Sequence, residues 1–414
     1  MLFIVKGVYT LINYQEFLAE RTELMRASEI RELLKITEGK KIISLAGGLP
    51  DPKIFPKAEL AEVAKDIIKE KGEKALQYSP TKGIAELREA LLNYMKKNGI
   101  AVGSDDDIII TTGSQQALDI IGRVLINPKD IVIVELPTYL AALNAFRLYR
   151  PSLVGIPIDD NGMRTDVLEQ EVKRIVKGGK RVKLIYTIPV AHNPAGVTLS
   201  IERKKHLLEI ASEHDILVIE DDPYSHFVYD EGVDVTPLKT LDKEGRVVYL
   251  STLSKILAPG LRIGWIAGNR VLIEVFERAK QSTDLHTSTL CQFIAVEAIK
   301  RGLVDRTIEK ARIVYKRKRD VMLAALEKYM VKGSWWSKPI GGLFLMLWLP
   351  SNEIDTRELL PKAVEAGVAF VPGAAFYADG SGKNTMRLNF SFPRPEEIEI
   401  GIKILAEIIK KKLS

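Results

Sequence analysis

Between about residues 100 and 270, short apolar runs alternate with stretches whose apolar positions recur every three or four residues. "DIIIT" leads into "GSQQALDIIGRVL", "DIVIVEL" into "PTYLAALNAFRLY", "VKLIYTI" into "IERKKHLLEIASEH", and "ILVIE" into "DDPYSHF". Near-continuous β-branched runs separated by amphipathic helices predict a parallel sheet covered on both faces. Further upstream, helical periodicity covers roughly 26–37 and 58–71, with the Gly/Pro-rich "ISLAGGLPDP" between them. After about residue 300 come a long charged helix at 305–329, alternating stretches "GGLFLMLWLP", "VAFVPG" and "TMRLNFSF", and a last helix. That order predicts a smaller α+β lobe built from the C-terminal part and the N-terminal helix. The expected division is 1–57 with the small domain, 58–304 as a large domain, and 305–414 as the rest of the small one.

Ligands of open parallel sheets bind beyond the carboxyl ends of the strands. The residues following each apolar run therefore hold the candidate chemistry. In "TGSQQALD", Gly113, Ser114 and Gln115 fall where a helix begins, and free backbone N–H groups there favour an anion. In "STLSKILAPGLRIGW", Lys255 follows two hydroxyls, Thr252 and Ser254, and Arg262 comes seven residues later. Two cations this close repel unless an anion lies between them, and a phosphate held by Arg262, Ser254 and the helix start would relieve the repulsion. Lys255, desolvated beside that phosphate, is then an amine nucleophile suited to a Schiff base with an aldehyde. A phosphate-bearing aldehyde held by lysine is pyridoxal 5'-phosphate, which serves as an electron sink. That cofactor needs a buried carboxylate at its pyridine nitrogen, and Asp221 directly follows "ILVIE", at the end of that strand, as required. Tyr224 and Asn193 can hydrogen-bond the ring oxygen, and Tyr139 can stack on the ring.

The set "GSQQALD", "PTY", "HNPAG", "EDDPY" and "SKILAPGLRIGW", in this order and spacing, resembles the fold-type I pyridoxal-phosphate-dependent aminotransferases of class I/II, from about residue 20 onward. The resemblance implies an α/β fold: a large domain with a mostly parallel seven-stranded sheet between helices, plus a smaller α+β domain. It implies that Lys255 carries the cofactor, that Arg262 binds its phosphate, and that Arg387 of "MRLNFSF" clamps the substrate α-carboxylate. Tyr78 matches a tyrosine reaching the phosphate of the neighbouring subunit, which makes the active site a property of a homodimer. Gly47 and Gly48 correspond to a glycine stretch over the substrate. Ala195 stands where the family often has threonine, and Thr252 where serine is frequent; neither change removes a proposed role. "RASEIRELLK", "AGGLPDP" and "ALQYSPTKG" are similar to the branch containing 2-aminoadipate, kynurenine and broad-specificity aromatic aminotransferases. There, an arginine at the position of Arg31 can meet a distal substrate carboxylate. The implied reaction moves an amino group between an L-amino acid and 2-oxoglutarate by ping-pong kinetics.

Composition narrows the alternatives. Sixty Lys+Arg against 54 Asp+Glu give a net charge of only +6, with the two signs interspersed, so nucleic acid is not an expected partner. A single cysteine, Cys291, excludes an internal disulfide and a cysteine-based metal cluster. The five histidines lack metal-ligand spacing. With the many Lys and Glu, these features point to a heat-adapted cytoplasmic protein. The longest apolar run, at 343–350, is far short of the roughly 20 residues that span a bilayer. A β-eliminating lyase of the same fold breaks a different bond with the same groups. A pyridoxal-phosphate-sensing regulator would need an added DNA-binding module.

Overall fold

The computed structural model describes residues 12–25 and 42–413. The helix expected at 26–37, and Arg31 with it, lie outside the described residues. The large sheet is built from β2 (Asp106–Thr111), β3 (Ile131–Leu136), β4 (Ser152–Asp159), β5 (Gly162–Met163), β6 (Val182–Thr187), β7 (Leu217–Asp221), β8 (Val247–Thr252) and β9 (Gly264–Asn269). Their order across the sheet is β2-β9-β8-β7-β6-β3-β4-β5. Strands β8, β7, β6, β3 and β4 are mutually parallel, whereas β9 runs against both its neighbours. The expected seven strands are thus joined by an eighth, the two-residue β5, which folds back antiparallel on β4 at the sheet edge.

Strand periodicity explains why these runs read as almost wholly apolar. Successive side chains point to opposite faces, and both faces are covered. Ile131, Ile133, Ile185, Val218 and Val247 pack into one buried cluster with Leu168, Val172, Leu207 and Ile210. The last four lie on helices α5 (Thr165–Lys177) and α6 (Ile201–Glu213). Their neighbours Val132, Val134, Leu184, Tyr186, Ile219 and Val248 turn to the opposite cluster. That cluster also holds residues of α3 (Ser114–Leu125), α4 (Leu140–Arg147), α7 (Arg270–Gln281), and α8 (Thr289–Lys300), which packs on α1 (Lys57–Ala75) and α2 (Ala85–Lys97).

The smaller sheet is antiparallel, in the order β10-β11-β14-β13: β10 (Trp335–Trp336), β11 (Phe344–Trp348), β13 (Val371–Pro372) and β14 (Thr385–Asn389). Residues just before the large lobe join it, since β1 (Ile43–Ser44) pairs in parallel with β12 (Val368–Ala369). The long helix α9 (Leu303–Tyr329) packs along the terminal helix α11 (Pro395–Leu413), and α10 (Thr356–Glu365) covers β12. Among the described residues, no helix is long and apolar enough to cross a membrane.

Candidate active site

The ends of β2, β3, β6, β7 and β8, which run in one direction, and the start of the antiparallel β9 meet at the same end of the large sheet. Thr111, ending β2, and Thr252, ending β8, both pair with Gly264, the first residue of β9. Topology therefore puts Gly113 and Ser114, Lys255, and Arg262 side by side. Gly113 sits at φ 75°, and a Cβ there would lie 2.2 Å from Arg262 Nη2. Only glycine allows the guanidinium to lie against this turn. A Cβ on Gly264 would similarly fall 2.9 Å from Ser114 N. Gly113 caps α3 without a side-chain hydrogen bond, so Ser114 is the first helical residue rather than the cap. The helix start of α3 therefore lies against Arg262, with the Gln116 N–H donated back to the Gly113 carbonyl at 3.2 Å. Gln115 is exposed and, with Arg262 and Thr112, lines a cavity of about 590 Å³ beside this corner.

Arg262 itself holds a left-handed backbone conformation, φ 55°. It donates to the Thr112 carbonyl at 3.2 Å and to Ser254 Oγ at 3.4 Å. Thr252 Oγ1 accepts from the Ser254 N–H at 3.1 Å and donates to the Ile263 carbonyl at 2.9 Å. Its hydroxyl thus shapes the short helix Leu253–Ile256, which carries Lys255.

Lys255 Nζ donates to the Gly48 carbonyl at 2.9 Å. Loss of hydration, reinforced by the charges of Arg387 and Arg262, lowers its pKa to about 8. Across from it, Arg387 is 1 % exposed on β14. Its Nη1 donates to Asn193 Oδ1 at 3.0 Å and its Nη2 to the Ala46 carbonyl at 2.8 Å. The guanidinium lies between the rings of Phe344 and Phe376, 4.2 and 5.0 Å from their centroids, and its Nε has no partner among the described residues. Burial lowers Arg387 to about 10. Gly47 and Gly48 run between the two cations, and a Cβ on Gly48 would come 3.2 Å from the Phe344 ring.

Asn193 also donates to Tyr224 Oη at 3.3 Å, which joins the "HNPAG" and "DDPY" loops. Burial pushes the hydroxyl of Tyr224 up, and that of Tyr139 up to about 12. Asp221 is 2 % exposed. Its Oδ2 accepts from Tyr186 Oη at 2.7 Å, but its Oδ1 has no partner among the described residues. Desolvation, with smaller contributions from Asp222 and Glu135, drives this carboxyl up to about 7. An unpartnered buried carboxylate oxygen is costly and calls for a cationic donor. A protonated pyridine nitrogen is such a donor, and the Gly113–Arg262 corner suits a phosphate. The residues present therefore fit pyridoxal phosphate, judged by their own unmet needs. Tyr78, by contrast, is 78 % exposed, with its ring edge-on to His286.

Two buried groups escaped the reading of the sequence. Tyr186 looked like one more residue of an apolar strand. Glu135, an acid ending "DIVIVEL", was a visible signal: it is 2 % exposed, accepts from Thr187 Oγ1 (2.8 Å) and the Ile188 N–H (3.0 Å), and approaches His192 Nε2 to 3.0 Å. It thereby braces the loops bearing Tyr139 and Asn193.

Residues 40–405 match the family model described as "Aminotransferase class I and II". The chain belongs to this family. As a class I and II aminotransferase it works with pyridoxal 5'-phosphate. It is 51 % identical over 402 residues to aromatic-amino-acid aminotransferase 1 of Thermococcus litoralis, covering 97 % of this aminotransferase and 96 % of that one. The crystal structure of Pyrococcus horikoshii kynurenine aminotransferase, in complex with PMP, KYN and KYA, is 50 % identical with a TM-score of 0.94. That match covers 97 % of this chain and 99 % of the other. The α-aminoadipate aminotransferase LysN of Thermus thermophilus, complexed with N-(5'-phosphopyridoxyl)-L-leucine, is 38 % identical with a TM-score of 0.89, over 97 % and 99 % of the two chains.

Proposed function

We propose that this aminotransferase moves the amino group of an L-amino acid to 2-oxoglutarate, with aromatic amino acids, kynurenine and 2-aminoadipate as the candidate donors. The observation that carries the reading is Lys255, an amine with a depressed pKa and, among the described residues, no carboxylate partner, set between a phosphate-suited corner and a buried guanidinium. The names of the relatives support the donor class. When bound, the cofactor supplies an electron sink that stabilises charge at the substrate Cα.

The residues divide the remaining work. Arg262, Ser254 and the amides of Ser114 and Gln115 would hold the phosphate beside Gly113, whose own N–H donates to the Thr111 carbonyl, with Tyr78 contributed by the second subunit of a homodimer. Asp221, kept charged by its cationic neighbour, holds the ring nitrogen protonated. Tyr224 and Asn193 would donate to the ring oxygen and Tyr139 would supply an aromatic face for the ring, while Thr252 shapes the turn that presents Lys255. Arg387 binds the α-carboxylate with a planar fork, and Gly47 and Gly48 leave room over the substrate. Lys255 Nζ, partly neutral near pH 8, would accept the proton from the substrate Cα and hold it as the general acid for its return. The amino acid and the 2-oxo acid use one site in turn, so the kinetics are ping-pong. Arg31 is the proposed contact for a distal carboxylate. The single cysteine supports a cytoplasmic setting.

The test is a half-reaction. Adding glutamate to the cofactor-loaded enzyme should yield pyridoxamine phosphate and one equivalent of 2-oxoglutarate per site. Release of ammonia and pyruvate from a cysteine conjugate, without pyridoxamine phosphate, would assign a β-eliminating lyase instead.

A further inference from the structure

The stretch from Leu45 to Asp51 passes between the two reactive cations, and its position sets theirs. Ala46 offers its carbonyl to Arg387 and Gly48 offers its own to Lys255, at 2.8 and 2.9 Å. One end of the stretch is fixed by the sheet, since the Asn389 N–H donates to the Leu45 carbonyl at 2.7 Å. The other end is fixed from α9. Asp51 is 8 % exposed, its N–H donates to Tyr315 Oη at 3.0 Å, and its Oδ2 accepts from Lys318 Nζ at 2.7 Å. The same Lys318 ammonium donates to the Ser391 carbonyl at 2.7 Å, and Ser391 Oγ donates to the Leu49 carbonyl at 2.8 Å. Ser391 lies two residues past the end of β14, the strand that carries Arg387. One buried cation, 4 % exposed, therefore joins the loop over Lys255 to the strand end of Arg387.

We propose that Lys318 is a positioning residue: through Asp51 and Ser391 it fixes the separation between the Lys255 amine and the guanidinium that receives the substrate carboxylate. The inference rests on the reading of Arg387 as that carboxylate's partner. An ordinary buried ion pair would tie α9 to the loop and affect stability alone. Here the two acceptors of Lys318 lie on the two segments whose spacing decides whether Cα meets Nζ. A shift of about 1 Å in such a spacing costs on the order of a hundredfold in rate. The pair also has a reason to be ionic. Its bonds run to a carboxylate and a carbonyl at once, which no apolar pair of similar volume can do.

The experiment uses the cofactor-loaded enzyme and 3-phenylpropionate, an unreactive carboxylate, titrated through the visible absorption of the bound cofactor. Lys318→Met should weaken this ligand by about tenfold or more and lower kcat for amino acids by on the order of a hundredfold, more than it raises KM, with cofactor affinity held within about threefold. Lys318→Arg, which keeps the cation, should recover much of the loss. Should Lys318→Met fail to fold, Asp51→Asn combined with Lys318→Met leaves no buried charge unpaired and carries the same expectation. A folded, loaded double variant that binds 3-phenylpropionate as the wild type does would overturn the proposal. Failure of the wild type itself to bind it would instead remove the role given to Arg387.

Discussion

At the residue scale the site is a balance of unmet charges. Arg387 offers a planar pair of donors between two aromatic faces, and Asp221 offers an oxygen without a partner. Arg387→Ala should lower kcat/KM for every α-amino acid by about 10²- to 10³-fold, the loss of two charge-assisted hydrogen bonds, while a primary amine lacking a carboxylate reacts equally with both enzymes. Asp221 makes the opposite kind of prediction for the cofactor-free protein. Folding raises this acid to about 7 from 3.8, so stability falls as pH climbs between those values. Asp221→Asn should therefore stabilise the cofactor-free protein by about 2 kcal/mol or more at pH 8, and by less at pH 5. Thermal melts at the two pH values check this, and the same substitution should abolish turnover. Stability and function pull against each other at this position.

At the scale of elements, strand ends decide where chemistry sits. The alternation of apolar runs and amphipathic helices made the sheet legible, and the polar clusters after each run made most of the site legible too. What stayed hidden was contact across long separations. Arg387 meets Ala46 across 341 residues and Lys255 meets Gly48 across 207, and no local pattern encodes either meeting. Lys318 read as one more cation on a charged helix, because periodicity shows which face a residue occupies and not what that face covers. Tyr186 was masked by the strand around it, since a buried phenol with a partner counts as apolar in any such pattern. That the cap of this helix is the positive-φ Gly113, left without a side chain because Arg262 takes the space, was likewise not encoded locally. Gly113→Ala should accordingly weaken cofactor binding by about tenfold or more, with thermal stability of the cofactor-free protein reduced far less, as measured by dialysis and melting curves.

At the scale of the whole molecule, the described chain leaves Tyr78 out in solvent while the rest of the phosphate corner is assembled. On the proposal that a second copy supplies Tyr78, each site is composite. Mixing Lys255→Ala with Tyr78→Ala subunits should then restore about a quarter of the wild-type sites, because one of the two sites in each heterodimer is intact. If Tyr78 acted within its own chain, mixing would restore nothing. The small sheet and the glycine loop bring Arg387 to the sheet edge only when both lobes are in place, so the pocket belongs to the entire chain. All of this depends on a single amine meeting the cofactor. The most direct measurement is borohydride reduction of the loaded enzyme followed by peptide mapping. A phosphopyridoxyl group on Lys255, and none there after Lys255→Ala, is the expected result; a label on another lysine, or none with the wild type, would contradict the account.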